Sequence, residues 1–222
     1  MRFPIVIRLV LVAAALAPAS AVAQYWDESQ YWEYVDTEIR LSLNYWIPGD
    51  GDFDVYDNGY GTEVQYRNWY YDPIGFGLSL GVAHWKVAGT SGDLGIGPGA
   101  TLDGTVTLVP LGASVLYRFG DWDGQTLTLE AGLRYVLADS DVRINYANRS
   151  CNGEDCYDIS DGLIAVFAGD YERDLTEQWA FFLGGGYQDD LIRGDTETID
   201  RNLRDNEIKG FFMRVGAKRT LQ

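Results

Sequence analysis

The final segment of the chain, KGFFMRVGAKRTL, alternates between apolar and polar or small side chains. It places Phe211, Met213 and Val215 on one side of an extended chain, and Arg214 and Lys218 on the other. Because successive side chains of a strand point to opposite faces of its sheet, this alternation predicts a strand with one apolar and one polar face. Such a strand must pair with neighbours and must find a suitable environment for each face, which leaves few folds open.

Seven earlier segments carry versions of the same alternation, so the sequence predicts an all-β chain of eight strands. Four long loops and three short turns alternate between them, an asymmetry typical of barrels that cross an outer membrane. We therefore predict an eight-stranded antiparallel up-and-down transmembrane β-barrel with long extracellular loops and short periplasmic turns. An even strand number places both termini in the periplasm. The predicted strands are residues 37–47, 61–71, 74–87, 105–119, 127–135, 162–172, 179–188 and 209–221.

Two residues interrupt the alternation within predicted strands. Pro110 lies inside the fourth strand, where it removes a hydrogen bond from the ladder. Asn68 falls on the otherwise apolar face of the second strand. We expect a weakened ladder at Pro110, and a bulge or an early strand end at Asn68.

Residues 1–23 have the features of a secretory signal peptide. A basic region with Arg2 and Arg8 is followed by an apolar run and by the triplet Ala21-Val22-Ala23, which supplies the small residues expected before a cleavage site. The apolar run is too short to span a bilayer as a helix. The predicted barrel domain is then residues 24–222.

The chain is strongly acidic. Removing the two arginines of the signal peptide leaves 15 basic residues against 33 acidic ones, which gives the mature chain a net charge of −18. Because contact with phosphates needs clustered Lys and Arg, this charge argues against nucleic acid as a partner. After residue 23 no run of 18 apolar residues occurs, so we expect no transmembrane helix.

Alternation alone does not distinguish a membrane barrel from a water-soluble one, because both have one apolar and one polar face. Two features favour the membrane barrel. The polar face is rich in small residues, which suits the narrow interior of eight strands, and Tyr and Trp lie near strand ends on the apolar face. We expect the charges on the polar face to pair with one another, since an unpaired buried charge is costly. The predicted interior charge network comprises Glu38, Arg40, Glu130, Arg134, Asp170 and Arg214.

Together these features resemble the OmpA, OmpX and opacity-type family of small outer-membrane barrels. The stretch from Val109-Pro110-Leu111-Gly112-Ala113 to Arg118-Phe119 is similar to one that is common in that family. The resemblance implies a place in a bacterial outer membrane, with outer-membrane lipids and lipopolysaccharide as partners. It leaves a surface ligand open and implies no cofactor.

The final strand also resembles the signal that the barrel-assembly machinery reads, through polar Arg214, Gly216 and the late apolar Leu221. It departs from that signal at Arg219, where an apolar residue is usual, and at the terminal Gln222, where Phe is usual. The resemblance implies that the assembly machinery is a partner during insertion.

Cys151 and Cys156 lie in the third long loop, within the sequence CNGEDC. Because an exported chain meets an oxidising compartment, we predict a small disulfide between them. A redox or metal role would need further Cys or His residues nearby, and this stretch of the sequence has none.

The first long loop contains Asp50, Asp52 and Asp54 at alternate positions, as calcium-binding loops do. Val55 stands where such a loop requires Gly, and Gly61 where it requires a bidentate Glu, so we predict no metal site. Two interpretations remain: a solvated acidic loop, and weak bridging of divalent cations to lipopolysaccharide.

His84 is the only histidine of the chain. It shares a face with Leu80 and Val82, so we expect it at the outer membrane interface. Barrel enzymes that modify lipid A use a His with a Ser and a carboxylate at this level, and the deacylases place that Ser two residues after the His. Lys86 occupies that position here, so we predict no catalytic residue and treat His84 as the weak candidate.

Three functions are compatible with this sequence. The first is a non-enzymatic envelope or surface-interaction protein that displays acidic extracellular loops. The second is a narrow passive channel, which requires that the predicted interior charges leave an open lumen. The third is a lipid A-modifying barrel enzyme, which requires a nucleophile and a carboxylate beside His84.

Overall fold

The computed structural model of the chain describes residues 36–49, 56–71, 73–90, 99, 101–120, 123–146, 149–152, 157–159, 161–192, 196–198 and 209–221. The predicted signal peptide lies outside these ranges, so its removal stays a prediction. Among the described residues there is no helix with the length and apolarity needed to cross a membrane.

The described chain consists of β-strands and their connections. Eight long strands form the barrel, and three short strands lie within two of the loops. In chain order the strands are β1 (Asp36–Pro48), β2 (Tyr56–Tyr71), β3 (Ile74–Thr90), β4 (Thr101–Phe119), β5 (Gln125–Tyr146), the short β6 (Arg149–Asn152) and β7 (Tyr157–Ile159), β8 (Gly162–Asp174), β9 (Trp179–Ile192), the short β10 (Thr196–Thr198) and β11 (Gly210–Leu221).

The eight long strands close into one antiparallel cylinder. Each pairs with the next long strand along the chain, and the last strand, β11, pairs with the first, β1. Thr37 lies opposite Leu221, so the two strand ends are side by side. A closed barrel leaves no edge strand with unpaired backbone groups, which is the condition for crossing a membrane with strands. The structure confirms the predicted eight-stranded up-and-down barrel.

The two ends of the cylinder differ. Short turns join β2 to β3, β4 to β5 and β8 to β9 at the end where β1 begins and β11 ends, which we call the turn end. The longer connections lie at the opposite end, which we call the loop end. Two of those connections also pair with each other, because β7 and β10 form a two-stranded sheet.

Several strands extend beyond their predicted limits at the loop end. β5 continues to Tyr146, although the sequence pattern predicts a loop from residue 137. β4 begins at Thr101, and β3 continues to Thr90, where the two extensions pair with each other. The predicted loop-end limits of these strands are therefore wrong. The prediction fails there because the apolar side chains change from the outer face of the strands to the inner face.

Both predicted irregularities occur. The ladder between β2 and β3 shifts register between Asn68 and Tyr71, which is the expected bulge. The ladder between β3 and β4 skips Gly81 and the residue after it, opposite Pro110, and resumes in the same register at Ala83. Pro110 therefore interrupts the ladder without ending β4.

The outer face of the cylinder carries an apolar band. On β1 the outward side chains of Leu41 and Leu43 are 56% and 63% exposed, and other strands expose Leu, Val and Phe at the same level. An apolar surface that encircles the molecule requires hydrocarbon around it. Aromatic side chains border the band at both edges, as in membrane barrels. They are Tyr66, Tyr117, Phe119, Tyr171 and Trp179 toward the turn end, and Tyr45, Tyr60, Tyr135, Tyr187 and Phe211 toward the loop end.

Beyond the band at the loop end, the polarity of the two faces reverses along the same strands. On β5 the outward residues change from Leu133 and Tyr135 to Asp139 and Asp141, while Val142 is fully buried on the inner face. A membrane crossing takes about 9–11 residues, and β5 has 22. The loop-end half of β5 therefore extends beyond the apolar band. There its outer face is polar and its inner face apolar, as in the sheet of a water-soluble protein. The expectation that apolar side chains point outward is wrong for this extension.

The interior is divided into an apolar and a charged half. At the loop end, buried apolar side chains fill the cylinder, and we call this cluster the apolar cap. Its rings include Trp46 and Trp85, whose centroids lie 6.5 Å apart. Interiors of this kind exclude water and hold the surrounding strands together. The apolar cap comprises Trp46, Ala83, Trp85, Val87, Leu102, Val106, Leu108, Val136, Val142, Ile144, Ile164, Val166 and Phe212.

Candidate functional site

Charged side chains from six of the barrel strands fill the turn-end half of the interior. All six residues of the predicted network lie inside, and each forms an ion pair. Five further charged residues join them. We call the whole cluster the ionic plug, and it comprises Glu38, Arg40, Glu63, Arg67, Arg118, Glu130, Arg134, Asp170, Glu172, Arg214 and Lys218.

Asp170 on β8 is the centre of the ionic plug. Its side chain is fully buried and accepts hydrogen bonds from three guanidinium groups. The Nη1 atom of Arg40 lies 2.7 Å from Oδ2, and the Nη2 atom of Arg67 lies 3.0 Å from the same oxygen. Arg214 donates from Nε to Oδ1 at 2.7 Å and from Nη2 to Oδ2 at 2.8 Å. One carboxylate thus connects β1, β2 and β11 across the cylinder.

Glycine provides the space that Asp170 needs. Gly184 on β9 lies directly opposite Asp170 in the ladder. A Cβ at Gly184 would collide with the carboxylate of Asp170 and with the backbone of Gly169. Small inward residues therefore accommodate the long charged ones, as the sequence predicts for an eight-stranded interior.

Arg67 on β2 is the most deeply buried of the five charged residues that the predicted network omitted. Besides Asp170, it contacts Gln65 Oε1 at 2.6 Å and Glu172 Oε1 at 3.2 Å. Arg67 is 0% exposed. The signal was available, because Glu63, Gln65 and Arg67 alternate with outward Val64 and Tyr66.

A second group of ion pairs lies next to this centre. Arg214 Nη2 donates to Glu130 Oε2 at 2.7 Å, and Arg134 Nη1 lies 3.0 Å from Glu63 Oε2. Glu130 also accepts a hydrogen bond from Gln65 at 3.0 Å. Each charge therefore has a partner of opposite sign, which is the condition under which a buried ion is tolerated.

The turn-end opening is closed by Glu38, which joins two cations. Arg118 Nη2 and Lys218 Nζ lie 2.9 and 3.2 Å from Glu38 Oε1. The guanidinium of Arg118 lies 3.9 Å from the ring centroid of Trp69, a cation–π contact at the rim of the opening. Lys218 also pairs with Glu172 at 2.9 Å.

Aromatic rings also pack against the charged side chains of the interior. The guanidinium of Arg40 lies 3.5 Å from the ring centroid of Phe182, which is 1% exposed. Between the ionic plug and the apolar cap lies a cavity of about 20 Å³, bordered by Trp85, Pro110 and Arg134. A space of this size holds about one water molecule.

His84 faces outward at the loop-end edge of the apolar band, as predicted. Its Nδ1 lies 3.2 Å from Thr107 Oγ1, and its ring lies 6.1 Å from the ring of Tyr60. The ladder places Thr107 between His84 and Asp139. In a catalytic triad the His lies between the nucleophile and the carboxylate, and here the hydroxyl occupies the middle position.

The other candidate residues lie mostly outside the described ranges. Asp50, Asp52 and Asp54 fall outside them, as does Cys156, whereas Cys151 lies in β6 opposite Ile144. The disulfide and the acidic-loop hypotheses therefore stay predictions. Within the ranges that the structure describes, no three His, Cys, Asp or Glu residues are grouped to hold a metal ion.

Comparison with known proteins rests on structure. No protein-family model matches the sequence, and no curated protein matches it. The outer membrane protein OprG of Pseudomonas aeruginosa superposes with a TM-score of 0.62 at 15% sequence identity, covering 84% of this chain and 96% of OprG. The chain has the fold of a small outer-membrane β-barrel.

Two other outer-membrane barrels superpose less closely on this one. Neisserial surface protein A gives a TM-score of 0.47 at 12% identity, covering 84% of this chain and 97% of its own. Outer Membrane Protein W of E. coli gives 0.45 at 15% identity, covering 85% and 99%. The fold assignment rests on the superposition with OprG, and at these identities the similarity concerns the fold alone.

Proposed function

We propose that this chain is an integral outer-membrane barrel with a closed interior, and that its loop-end surface performs its function. It would be a non-enzymatic envelope protein that contacts surface molecules. The observation that carries this proposal is the ionic plug, because it blocks the path along the cylinder axis. Function then has to be located on the outside of the barrel.

The distribution of charge supports a role for the surface. The ionic plug contains six cations, Arg40, Arg67, Arg118, Arg134, Arg214 and Lys218, against five anions, so its charges nearly cancel. The acidic excess of the chain therefore lies outside the ionic plug. Part of it is carried by Asp103, Asp139 and Asp141, which point outward on the loop-end extension. A surface of this kind attracts cations and basic partners and repels free anions.

The geometry does not favour a passive channel. The ionic plug occupies the turn-end half of the interior, and the apolar cap fills the loop-end half. An ion entering from either end would have to displace paired charges or cross an apolar layer, and both are unfavourable. The enzymatic alternative is disfavoured by the order His84, Thr107 and Asp139 along the ladder, since Asp139 cannot orient the imidazole across Thr107.

The proposed partners follow from the proposed location. The apolar band would contact outer-membrane lipids, and the loop end would contact lipopolysaccharide. Insertion would require the barrel-assembly machinery, for which β11 supplies the closing strand opposite β1. Both termini would then lie in the periplasm.

Two measurements test this proposal. The purified chain in planar lipid bilayers should give no stable ion conductance above that of the lipid alone, and steady conductance would overturn the closed interior. An epitope inserted after Gly99, in the connection between β3 and β4, should be detected on intact cells. The matched epitope after Asp123, in a turn-end connection, should be detected only after permeabilisation. The reverse result would overturn the orientation.

A further inference from the structure

A group of polar side chains lies on the outer surface immediately beyond the loop-end edge of the apolar band. His84 and Lys86 point outward from β3, and Thr107 and Thr105 lie opposite them on β4. The contact between His84 Nδ1 and Thr107 Oγ1, at 3.2 Å, and the nearby ring of Tyr60 fix the imidazole in place. We call these four polar residues the interface patch.

The interface patch presents hydrogen-bond donors to a ligand at the outer surface. Lys86 is exposed, and it forms no ion pair with a carboxylate whose side chain the structure describes. An ammonium group is a compact donor that suits phosphate. If Thr107 donates its hydroxyl hydrogen to Nδ1, the Nε2–H of His84 is left as a second outward donor. Thr105 is exposed beside Lys86 and adds a hydroxyl.

The level of the interface patch indicates which molecules reach it. Leu80 is the exposed apolar residue below His84 on β3, and the aromatic edge that includes Tyr45 and Tyr60 lies at the height of His84. Tyr side chains at the edge of a membrane barrel mark the boundary between hydrocarbon and headgroups. The interface patch therefore lies where the headgroups of the surrounding lipid leaflet begin.

The membrane itself can supply an anion to the interface patch, although acidic residues lie nearby. Asp139 and Asp141 follow Thr107 and Thr105 on the neighbouring strand, and Asp103 lies further toward the loops. A free anion is repelled by this acidic surface, and by the net charge of the whole chain. A lipid headgroup is already concentrated at this level, so it can reach Lys86 from the membrane without crossing the acidic residues of β4 and β5.

From this geometry we propose that His84, Lys86, Thr105 and Thr107 bind a phosphate group of lipid A, the membrane-embedded part of lipopolysaccharide. Lys86 supplies the charge, His84 and the hydroxyls orient the phosphate, and the acyl chains lie along the apolar band below. This inference rests on the proposed function, because it requires the loop end to face the lipopolysaccharide leaflet.

The test measures binding of lipid A to the full-length chain in detergent by native mass spectrometry. Bisphosphorylated lipid A should bind, and Lys86→Gln should weaken it by about tenfold, as expected for loss of one charge-assisted contact. Lys86→Arg should retain binding. Arg173→Gln is the matched control, because Arg173 is an exposed outward cation at the turn end. These variants change exposed side chains, and circular dichroism verifies that each one folds.

Two further ligands separate the possible sources of the anion. Dephosphorylated lipid A should bind to the wild-type chain as weakly as the phosphorylated form binds to Lys86→Gln. Inorganic phosphate should fail to displace bound lipid A. Equal binding of both lipids, equal losses in Lys86→Gln and Arg173→Gln, or displacement by inorganic phosphate would each overturn the assignment. If the Gly99 epitope is displayed on cells while Lys86→Gln leaves lipid A binding unchanged, the lipid A site is refuted and the proposed function stands.

Discussion

Replacing Asp170 with Asn tests whether the ionic plug is an integrated structure or a set of independent contacts. Asn has nearly the same shape as Asp but no charge, so the substitution leaves Arg40, Arg67 and Arg214 with one anion fewer in a site from which water is excluded. Removing one partner of a buried ion pair typically costs about 3–5 kcal/mol. Four hydrogen bonds of 3.0 Å or less converge on this carboxylate. We therefore expect the loss to lie toward the upper end of that range.

The assay is equilibrium urea unfolding of the chain in lipid vesicles, followed by tryptophan fluorescence. Trp69 contacts Arg118 at the edge of the ionic plug and provides an internal probe. The matched control is Asp141→Asn, the same chemical change at an exposed position of β5. For the control we expect a change within about 0.5 kcal/mol, as for most surface substitutions.

A double substitution identifies the cause of the loss. Arg40→Met removes one cation from the Asp170 cluster, and Met can still pack against Phe182. If uncompensated charge is the cause, Asp170→Asn combined with Arg40→Met should be less destabilising than the sum of the two single changes. A coupling of about 0.5–3 kcal/mol is usual for residues in one network. Equal effects of Asp170→Asn and Asp141→Asn, or strict additivity with Arg40→Met, would refute the reasoning.

Three further substitutions test the band, the reversal of polarity and the interior glycines. Leu43→Arg, on the outer face at mid-band, should destabilise the folded barrel in vesicles by about 2–4 kcal/mol, and no loss would mean that this face does not contact hydrocarbon. Val142→Asp places an unpaired charge in the apolar cap and should make the loop-end extension sensitive to protease, whereas Asp141→Val, one residue away on the outer face, should leave the wild-type cleavage pattern. Gly184→Ala forces a methyl group against Asp170 and should lower the free energy of unfolding by about 1–3 kcal/mol in urea titrations; wild-type stability would show that the interior has more room than the contacts indicate.

The sequence was most informative where side-chain parity and the membrane environment agree. In the membrane-crossing part of β1, Ile39, Leu41 and Leu43 point outward, while Glu38 and Arg40 point inward, as the alternation predicts. The energetic reason is that an Arg facing hydrocarbon destabilises the barrel, whereas an Arg in the interior can pair with a carboxylate. The same rule, applied to β2, would have predicted Arg67 as an interior cation.

The sequence was least informative beyond the membrane. Alternation shows that the two faces of a strand differ but not which of them faces inward, because the pattern is unchanged when the faces are exchanged. Val142 and Leu133 therefore look alike in the sequence, although one lies in the apolar cap and the other on the outer band. The difference arises from the solvent outside the barrel, which changes from hydrocarbon to water partway along β5.

The amino-acid sequence by itself determined the number of long strands, the closed barrel, and the inward direction of the charges within the band. Only the tertiary structure determined which charges meet, because Arg40 and Asp170 are 130 residues apart and approach within 2.7 Å across the cylinder. The alternation along a strand determines that a side chain lies in the interior. Its position along the barrel axis and its partners depend on the register of all eight strands. For this reason the interior could be predicted as charged, and the pairing of its charges could be seen only in the assembled barrel.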